Sequence, residues 1–328
     1  MSNLNPEAKL ISDLSKPKMA PTRDGYGHGV VKAGEKDERV VVLCADLTES
    51  TRSHWFREKF PERFIELGVA EPNMALVASG LANYGKIPFI SSYATFSPGR
   101  NNEQIRTNIS INDVPVKIVG AHAGISVGPD GATHQALEDI ALMRVQPRMT
   151  VVVPCDVIEA EKATLAVAFN DKPSYLRVGR ADSQVFTTEE TPFEIGKAYV
   201  MREGKDCAII GCGMLLYQAL LAAEELSQEG IGCMVVNSHT VKPLDEKTIV
   251  EAAEKTGAVV SVEEHQAAGG LGSAVAELLA KERPTPQEFI GVQDRFGESG
   301  QADELIKAFG LDAEAIKAAV KKVIARKK

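Results

Sequence analysis

Short apolar runs rich in β-branched residues alternate with stretches of helical periodicity along most of this chain, and that alternation does most to narrow its fold. From about residue 38, VVVLCAD (40 to 46), IPFISSYA (87 to 94), VPVKIVGAHAG (114 to 124), MTVVVP (149 to 154) and PSYLRVG (173 to 179) are nearly continuous in hydrophobicity, as strands covered on both faces are. Between them NMALVASGLANYG (73 to 85), HQALEDIALMRVQ (134 to 146) and EAEKATLAVAF (159 to 169) space their apolar residues as helices do, and Gly85 stands where a glycine ends a helix. A polar stretch, ADSQVFTTEETPFE (181 to 194), interrupts the alternation as a candidate linker. Beyond it CAIIGCG (207 to 213), CMVVNSHTV, AVVSVEEH and FIGVQD read as strands, and MLLYQALLAAEELSQEG as a helix ending at Gly230. The expected fold is α/β, with two parallel or mostly parallel open sheets and flanking helices. Residues 1–20 form an N-terminal extension, 21–186 a first domain and 187–328 a smaller second one.

With 44% hydrophobic and 25% charged residues over 328 positions, the chain can bury two cores. A net charge of -8, with no basic stripe interleaved with aromatics, argues against nucleic acid as a partner. The N-terminus has no apolar signal region and no segment approaches the ~20 apolar residues of a membrane span, so a cytoplasmic protein is expected. Cys44, Cys155, Cys207, Cys212 and Cys233 form an odd set without a CxxC pair and read as buried free thiols. The six histidines lack ligand spacing, so no metal site is expected in this chain.

Ligands of open parallel sheets bind beyond the carboxyl ends of the strands, which singles out the polar residues there. Asp46 and Ser50 follow the first strand, Glu71 follows FIELGVA, and Phe96 follows ISSYAT. His122 and the loop GPDGATHQ (128 to 135) follow VPVKIVG, and Arg177 and Arg180 follow PSYL. Glu71 is either a partner for a helix N-terminus or a buried acid of raised pKa, able to share a proton with a ligand nitrogen. GPDGATHQ is either a surface turn with an aspartate cap or a loop that brings backbone and His134, at the start of a helix, to a ligand. His122 fits a core histidine equally well. Number shifts the balance: Arg23, Ser50, His122, His134 and Arg180 project from one side of the same sheet and suit an anion, most simply a phosphate monoester. EEHQAAGGLG (263 to 272) lacks the spacing of a phosphate loop and reads as a tight turn between strand and helix.

Taken together, TRDGYG (22 to 27), CADLTEST (44 to 51), ELGVAEPNM (66 to 74), YATF (93 to 96), AHAGISVGPDGATHQALEDIALMRVQPRM (121 to 149) and EEHQAAGGLG resemble the C-terminal half of transketolase from about residue 20 onward. The resemblance implies a pyrimidine-binding domain over 21–186 and a transketolase C-terminal domain over 187–328. It implies that Glu71 hydrogen-bonds the pyrimidine nitrogen of thiamine diphosphate and so activates the cofactor, that Phe96 stacks on that ring, and that Asp46 also lies with the cofactor. Asp130 then contacts a substrate hydroxyl. His122 and His134 lie near the substrate, His134 closer to the reacting oxygens and counted with Glu71 as catalytic, while Arg23, Ser50 and Arg180 clamp the sugar phosphate. The implied reaction transfers a two-carbon ketol unit between phosphorylated ketoses and aldoses.

Two departures from the family's pattern carry weight. After Phe96 the sequence runs SPGRNN, where many transketolases place further aromatics. The GDG motif with which the family's other half holds Mg²⁺ and the diphosphate occurs nowhere in the chain. The match also begins almost at the N-terminus, so the missing half is expected on an N-terminal-section subunit that holds Mg²⁺, in an α2β2 assembly. The β subunit of a 2-oxoacid dehydrogenase and the corresponding half of a deoxyxylulose-phosphate synthase are alternatives. A purely scaffolding role is disfavoured by the acid at position 71.

Overall fold

The structure, a computed structural model, describes Met1 and residues 3–327. After β1 (Lys18–Ala20) and α1 (Thr22–Lys36) the chain runs through β2 (Val40–Cys44), α2 (His54–Lys59), β3 (Phe64–Glu66), α3 (Glu71–Asn83) and β4 (Ile87–Tyr93). Next come α4 (Asn102–Gln104), continued as a π-helix to Ser110, then β5 (Lys117–Ala121), α5 (Asp139–Arg144), β6 (Thr150–Val152), α6 (Val157–Ala168) and β7 (Ser174–Arg177). The second half contributes β8 (Ser183–Val185), β9 (Tyr199–Arg202), β10 (Cys207–Gly211), α7 (Leu215–Gln228), β11 (Cys233–Asn237), β12 (Thr240–Lys242) and α8 (Glu246–Thr256). It ends with β13 (Val259–Gln266), α9 (Leu271–Glu282), β14 (Gln287–Val292), α10 (Ala302–Ala308) and α11 (Ala313–Ile324).

Two open sheets result, of seven strands in the order β12-β6-β7-β5-β4-β2-β3 and of five in the order β14-β13-β10-β11-β9. Every pairing within them is parallel except at one edge of each, where β12 runs antiparallel to β6 and β9 to β11. Parallel strands covered by helices on both faces are mostly apolar, and every residue of β2, β5 and β10 is buried, including Lys117, whose Nζ donates to Asn170 and the Lys172 carbonyl. One apolar cluster runs through both units, with Ile118, Val151 and Tyr175 from the first sheet meeting Ile210, Val236 and Leu271 from the second. All five cysteines are free and buried. No helix among the described residues is long and apolar enough to cross a membrane.

Several local readings are corrected. CMVVNSHTV is two strands: after Asn237 the backbone breaks, Ser238 N–H donating to Gly211 and His239 C=O accepting from Val153, and β12 crosses over to the seven-stranded sheet. The helix expected over 134 to 146 forms only from Asp139. Residues before it form a turn and an isolated bridge, with Ala136 paired to Ala123 and its carbonyl bonded to Arg177. Helix α1 was not legible at all, because glycine costs about 1 kcal/mol per helical position relative to alanine and α1 contains four. Two of them let α6 approach: a Cβ on Gly25 would lie 2.1 Å from the Val157 carbonyl, and one on Gly29 2.6 Å from Thr164. Tertiary packing here overrides propensity.

The segment before α1 is tied down along the second unit. Asn5 N–H bonds the Met201 carbonyl, Tyr217 donates to the Leu14 carbonyl, and β1 pairs with β8 inside the expected linker. Asp156 fixes the linker further by accepting from the N–H groups of Phe186 and Thr187 and from the Thr187 hydroxyl.

Candidate active site

The site lies where the strand ends of the larger sheet converge. Beyond β2, the carboxylate of Glu66 gathers the N–H groups of Asp46 (2.8 Å) and Gly68 (2.9 Å) and the Thr48 hydroxyl (2.8 Å). That clasp sets the loop carrying Asp46 and Ser50. Asp46 itself is exposed with a positive φ of 59°.

Glu71 is the first residue of α3, with Pro72 beside it at a position where the missing N–H costs nothing. Its side chain is 1% exposed. Oε2 accepts a hydrogen bond from Arg100 at 2.7 Å, while Oε1 is buried and has no protein partner. A buried carboxylate oxygen left unpaired is costly, and a ligand nitrogen would satisfy it.

The chain leaves β4 at Tyr93 and turns back sharply: Phe96 N–H bonds the Tyr93 carbonyl, Gly99 N–H that of Ala94, and Arg100 N–H that of Phe96. Only glycine fits at 99, where a Cβ would sit 2.1 Å from the Thr95 carbonyl. The turn lays the Arg100 guanidinium 4.7 Å from the centre of the Phe96 ring. It also stacks Phe96 beside Tyr93 at 5.9 Å.

His122, just after β5 with φ 52°, stacks on Tyr93, ring centroids 4.0 Å apart. Its Nε2 lies 2.8 Å from Arg23 Nη1. Burial, and then the Arg23 charge, push the imidazole from 6.5 down to about 3, so it is neutral and accepts from Arg23. Its Nδ1 then carries the proton and is buried without a protein partner. Arg23 also donates to the Ser50 carbonyl at 3.0 Å, so Ser50 meets it through backbone. Burial, Arg52 and Arg180 hold the Arg23 guanidinium below the usual arginine range, a crowding of positive charge that an anion relieves.

In the loop 128 to 135, Arg180 donates to the Val127 carbonyl (3.1 Å) and to Asp130 (3.2 Å). His134 stands edge-on to Phe96 at 5.5 Å and to Tyr93 at 6.0 Å. The Gln135 amide stitches the loop by donating to the carbonyls of Ile125, Gly128 and Glu298, the last from the second unit. Glu71, Phe96, His122, His134, Arg23, Ser50, Arg180 and Asp130 thus form one continuous cluster. Sequence reasoning missed the clasp of Glu66, the central ring of Tyr93 and the ion pair of Arg100. Only the turn-forming SPG before Arg100 hinted that this arginine would fold back.

Arg177 does not join the cluster. It is buried against Asp139 at 2.7 Å and donates to the Glu264 carbonyl, tying the two units together. The glycine-rich turn at 269 to 272 holds no free phosphate cradle, since the Glu263 carboxylate already accepts from Leu271 and Gly272 at the N-terminus of α9.

Residues 18–184 match the family model of the transketolase pyrimidine binding domain and residues 196–316 that of the transketolase C-terminal domain. The chain belongs to the transketolase family. It is 44% identical, over 90% of its own length and 93% of the other's, to a transketolase C-terminal section of Methanocaldococcus jannaschii. It is 42% identical to a 6-deoxy-6-sulfo-D-fructose transketolase subunit of a Clostridium species, covering 93% and 95% of the two chains. The solved structure of a split gene transketolase, an inactive β4 tetramer, superposes with a TM-score of 0.88 at 44% identity, over 94% of this chain and 99% of that one. The family implies thiamine diphosphate. The residues present suit its pyrimidine end, with an unsatisfied buried oxygen on Glu71 and, one guanidinium away, the face of Phe96. Among the described residues no group of three or more His, Cys, Asp or Glu could hold a metal ion.

Proposed function

We propose that this transketolase C-terminal section works as one subunit of a split transketolase, moving a two-carbon ketol unit between phosphorylated ketoses and aldoses once an N-terminal-section subunit supplies the Mg²⁺ and diphosphate half of the site. The carrying observation is the buried, unpartnered Oε1 of Glu71, a carboxylate joined through Arg100 to the Phe96 ring, which His134 meets edge-on and which leads through Tyr93 to His122 and Arg23. In this reading the pyrimidine-binding domain spans 21–186 and the C-terminal domain 187–328. Residues 1–20 are the extension packed on the latter.

Thiamine diphosphate, when bound, supplies the carbanion chemistry that carries the two-carbon unit. Glu71 would hydrogen-bond the pyrimidine nitrogen, in a position that burial keeps away from water. Phe96 offers a ring face to the pyrimidine, and the family resemblance assigns Asp46 to the cofactor as well. Neutral His122 donates through Nδ1 to a substrate oxygen, while Arg23 fixes its tautomer. His134, partly exposed and edge-on to both rings, meets the reacting oxygens from the substrate side. Arg23, Arg180 and the Ser50 loop bind the anionic tail, and Asp130 accepts from a hydroxyl. The sulfosugar named for one relative carries an anion of the same geometry, so a sulfonate could fill this place as well as a phosphate.

Reconstitution with a GDG-containing N-terminal section tests the reading. Xylulose 5-phosphate plus ribose 5-phosphate should turn over, whereas pyruvate plus glyceraldehyde 3-phosphate should not. Turnover of the second pair alone would point to a deoxyxylulose-phosphate synthase half, and micromolar binding of thiamine diphosphate to this chain alone would refute partner dependence.

A further inference from the structure

Arg100 holds the place that the site reading gives to a ligand. Its guanidinium lies 4.7 Å from the centre of the Phe96 ring and donates to Glu71 at 2.7 Å. A guanidinium is flat, delocalised and weakly hydrated, with N–H donors along its edge and a liking for aromatic faces. A protonated aminopyrimidine has the same attributes. One carboxylate oxygen and one ring face therefore recognise either group by the same contacts.

The two partners differ in freedom. Glu71 is 1% exposed and anchored in the first turn of α3, whereas the Arg100 side chain is 46% exposed. The carboxylate is fixed and the arginine is the element able to leave. Arg100 satisfies only Oε2 of the carboxylate, and Oε1 stays unpaired, so its hold is partial. The backbone delivers it to this position: the Arg100 N–H to Phe96 carbonyl bond closes the turn, and Gly99 is the residue that permits it.

We propose that Arg100 is a built-in competitor for the cofactor's pyrimidine, filling the seat between Glu71 and Phe96 in the free chain and swinging out when the ring enters. This rests on the reading of Glu71 and Phe96 as that seat. An occupied seat lowers apparent affinity by the fraction of molecules in which it is open. The free subunit thus keeps a buried carboxylate paired and resists the cofactor fragment until the rest of the site is assembled. Once displaced, the guanidinium remains tethered at the rim.

The test uses the full chain and 4-amino-5-hydroxymethyl-2-methylpyrimidine, the isolated pyrimidine half, titrated at millimolar concentrations by NMR. Arg100→Ala and the neutral, polar Arg100→Gln should each bind the fragment roughly tenfold more tightly than the unmodified chain, between the worth of an exposed and a buried ion pair. Arg100→Lys, which keeps the charge but not the flat stacking group, should fall between. In the unmodified chain the Arg100 side-chain resonances should move along the same binding curve. Equal or weaker affinity in the Ala and Gln variants, or no detectable binding by either, overturns the proposal. A Glu71→Ala/Arg100→Ala double variant separates the two levels. If it binds as well as Arg100→Ala, the seat itself is misassigned; if binding disappears while Arg100→Ala equals the unmodified chain, the seat stands and only the competitor role falls.

Discussion

Arg23 and His122 form a donor–acceptor pair 2.8 Å apart that fixes which nitrogen of the imidazole carries the proton. Arginine has no acceptor, so toward Arg23 the Nε2 atom accepts and Nδ1 holds the hydrogen, while the Ser50 carbonyl, 3.2 Å from the same Nε2, takes its hydrogen from Arg23. With its pKa lowered from 6.5 to about 3 by burial and then by Arg23, this ring stays neutral through the working range. The expected result is a His122 Cε1–H chemical shift that does not change between pH 5 and pH 8. In the reconstituted enzyme His122→Ala should lower kcat/KM by about 100-fold, the usual worth of one positioned donor in a dry site. A His122 titration near pH 6.5 would contradict the pairing.

Glu71 stands at the centre of the proposed chemistry. Glu71→Ala should leave the chain folded, because the freed Arg100 is half-exposed and can turn to water. Reconstituted turnover should fall by roughly 10²- to 10⁴-fold, the range of a lost proton-transfer group. Unchanged turnover with normal circular dichroism would show that the acid has been misassigned.

The α1–α6 contact links stability to substrate binding. Adding a methyl group at Gly25, 2.1 Å from the Val157 carbonyl, must push the two helices apart. Gly25→Ala should cost on the order of 3 kcal/mol in urea unfolding, at the upper end of overpacking penalties. Because Arg23 lies two residues away on the same helix, KM for phosphorylated substrates should rise more than kcat falls. An unchanged unfolding midpoint would mean that the helices tolerate closer packing than their geometry indicates.

Glu159 joins the two units, accepting from Cys155 N–H at 2.7 Å and from the Asn237 amide at 2.6 Å. Burial, and then the charge on Asp156, raise its carboxyl from 4.5 to about 7. A raised acid binds its proton more tightly in the folded state, so its contribution is fully present below pH 4.5 and is lost as pH rises toward 7. The stability difference between the unmodified chain and Glu159→Gln should therefore shrink with rising pH across that window, by up to about 1.4 kcal/mol per pH unit. Denaturant unfolding at half-unit pH steps measures this slope, and a flat difference would refute it.

Composition and pattern alone determined a good deal here. Strand after strand, from VVVLCAD to FIGVQD, was legible because parallel strands buried on both faces are dominated by apolar, β-branched residues. Helix α3 with its terminal Gly85 was legible through its spacing. Glu71, His122 and the 128 to 135 loop were legible as polar residues stranded at the ends of apolar runs, and the transketolase-like motifs then suggested their roles.

The tertiary structure decided whatever depended on two distant segments meeting. Helix α1 exists despite four glycines because α6 needs that close approach. The helix expected from 134 starts late because Ala136 is held by Ala123 and Arg177, partners that no local period can announce. Strand β12 leaves its own unit to finish the edge of the other sheet. At the site, the sequence named an acid and an aromatic ring. Only the fold brought Arg100 round a glycine turn to lie on both, since local pattern records which side chains are available and long-range packing fixes which of them touch.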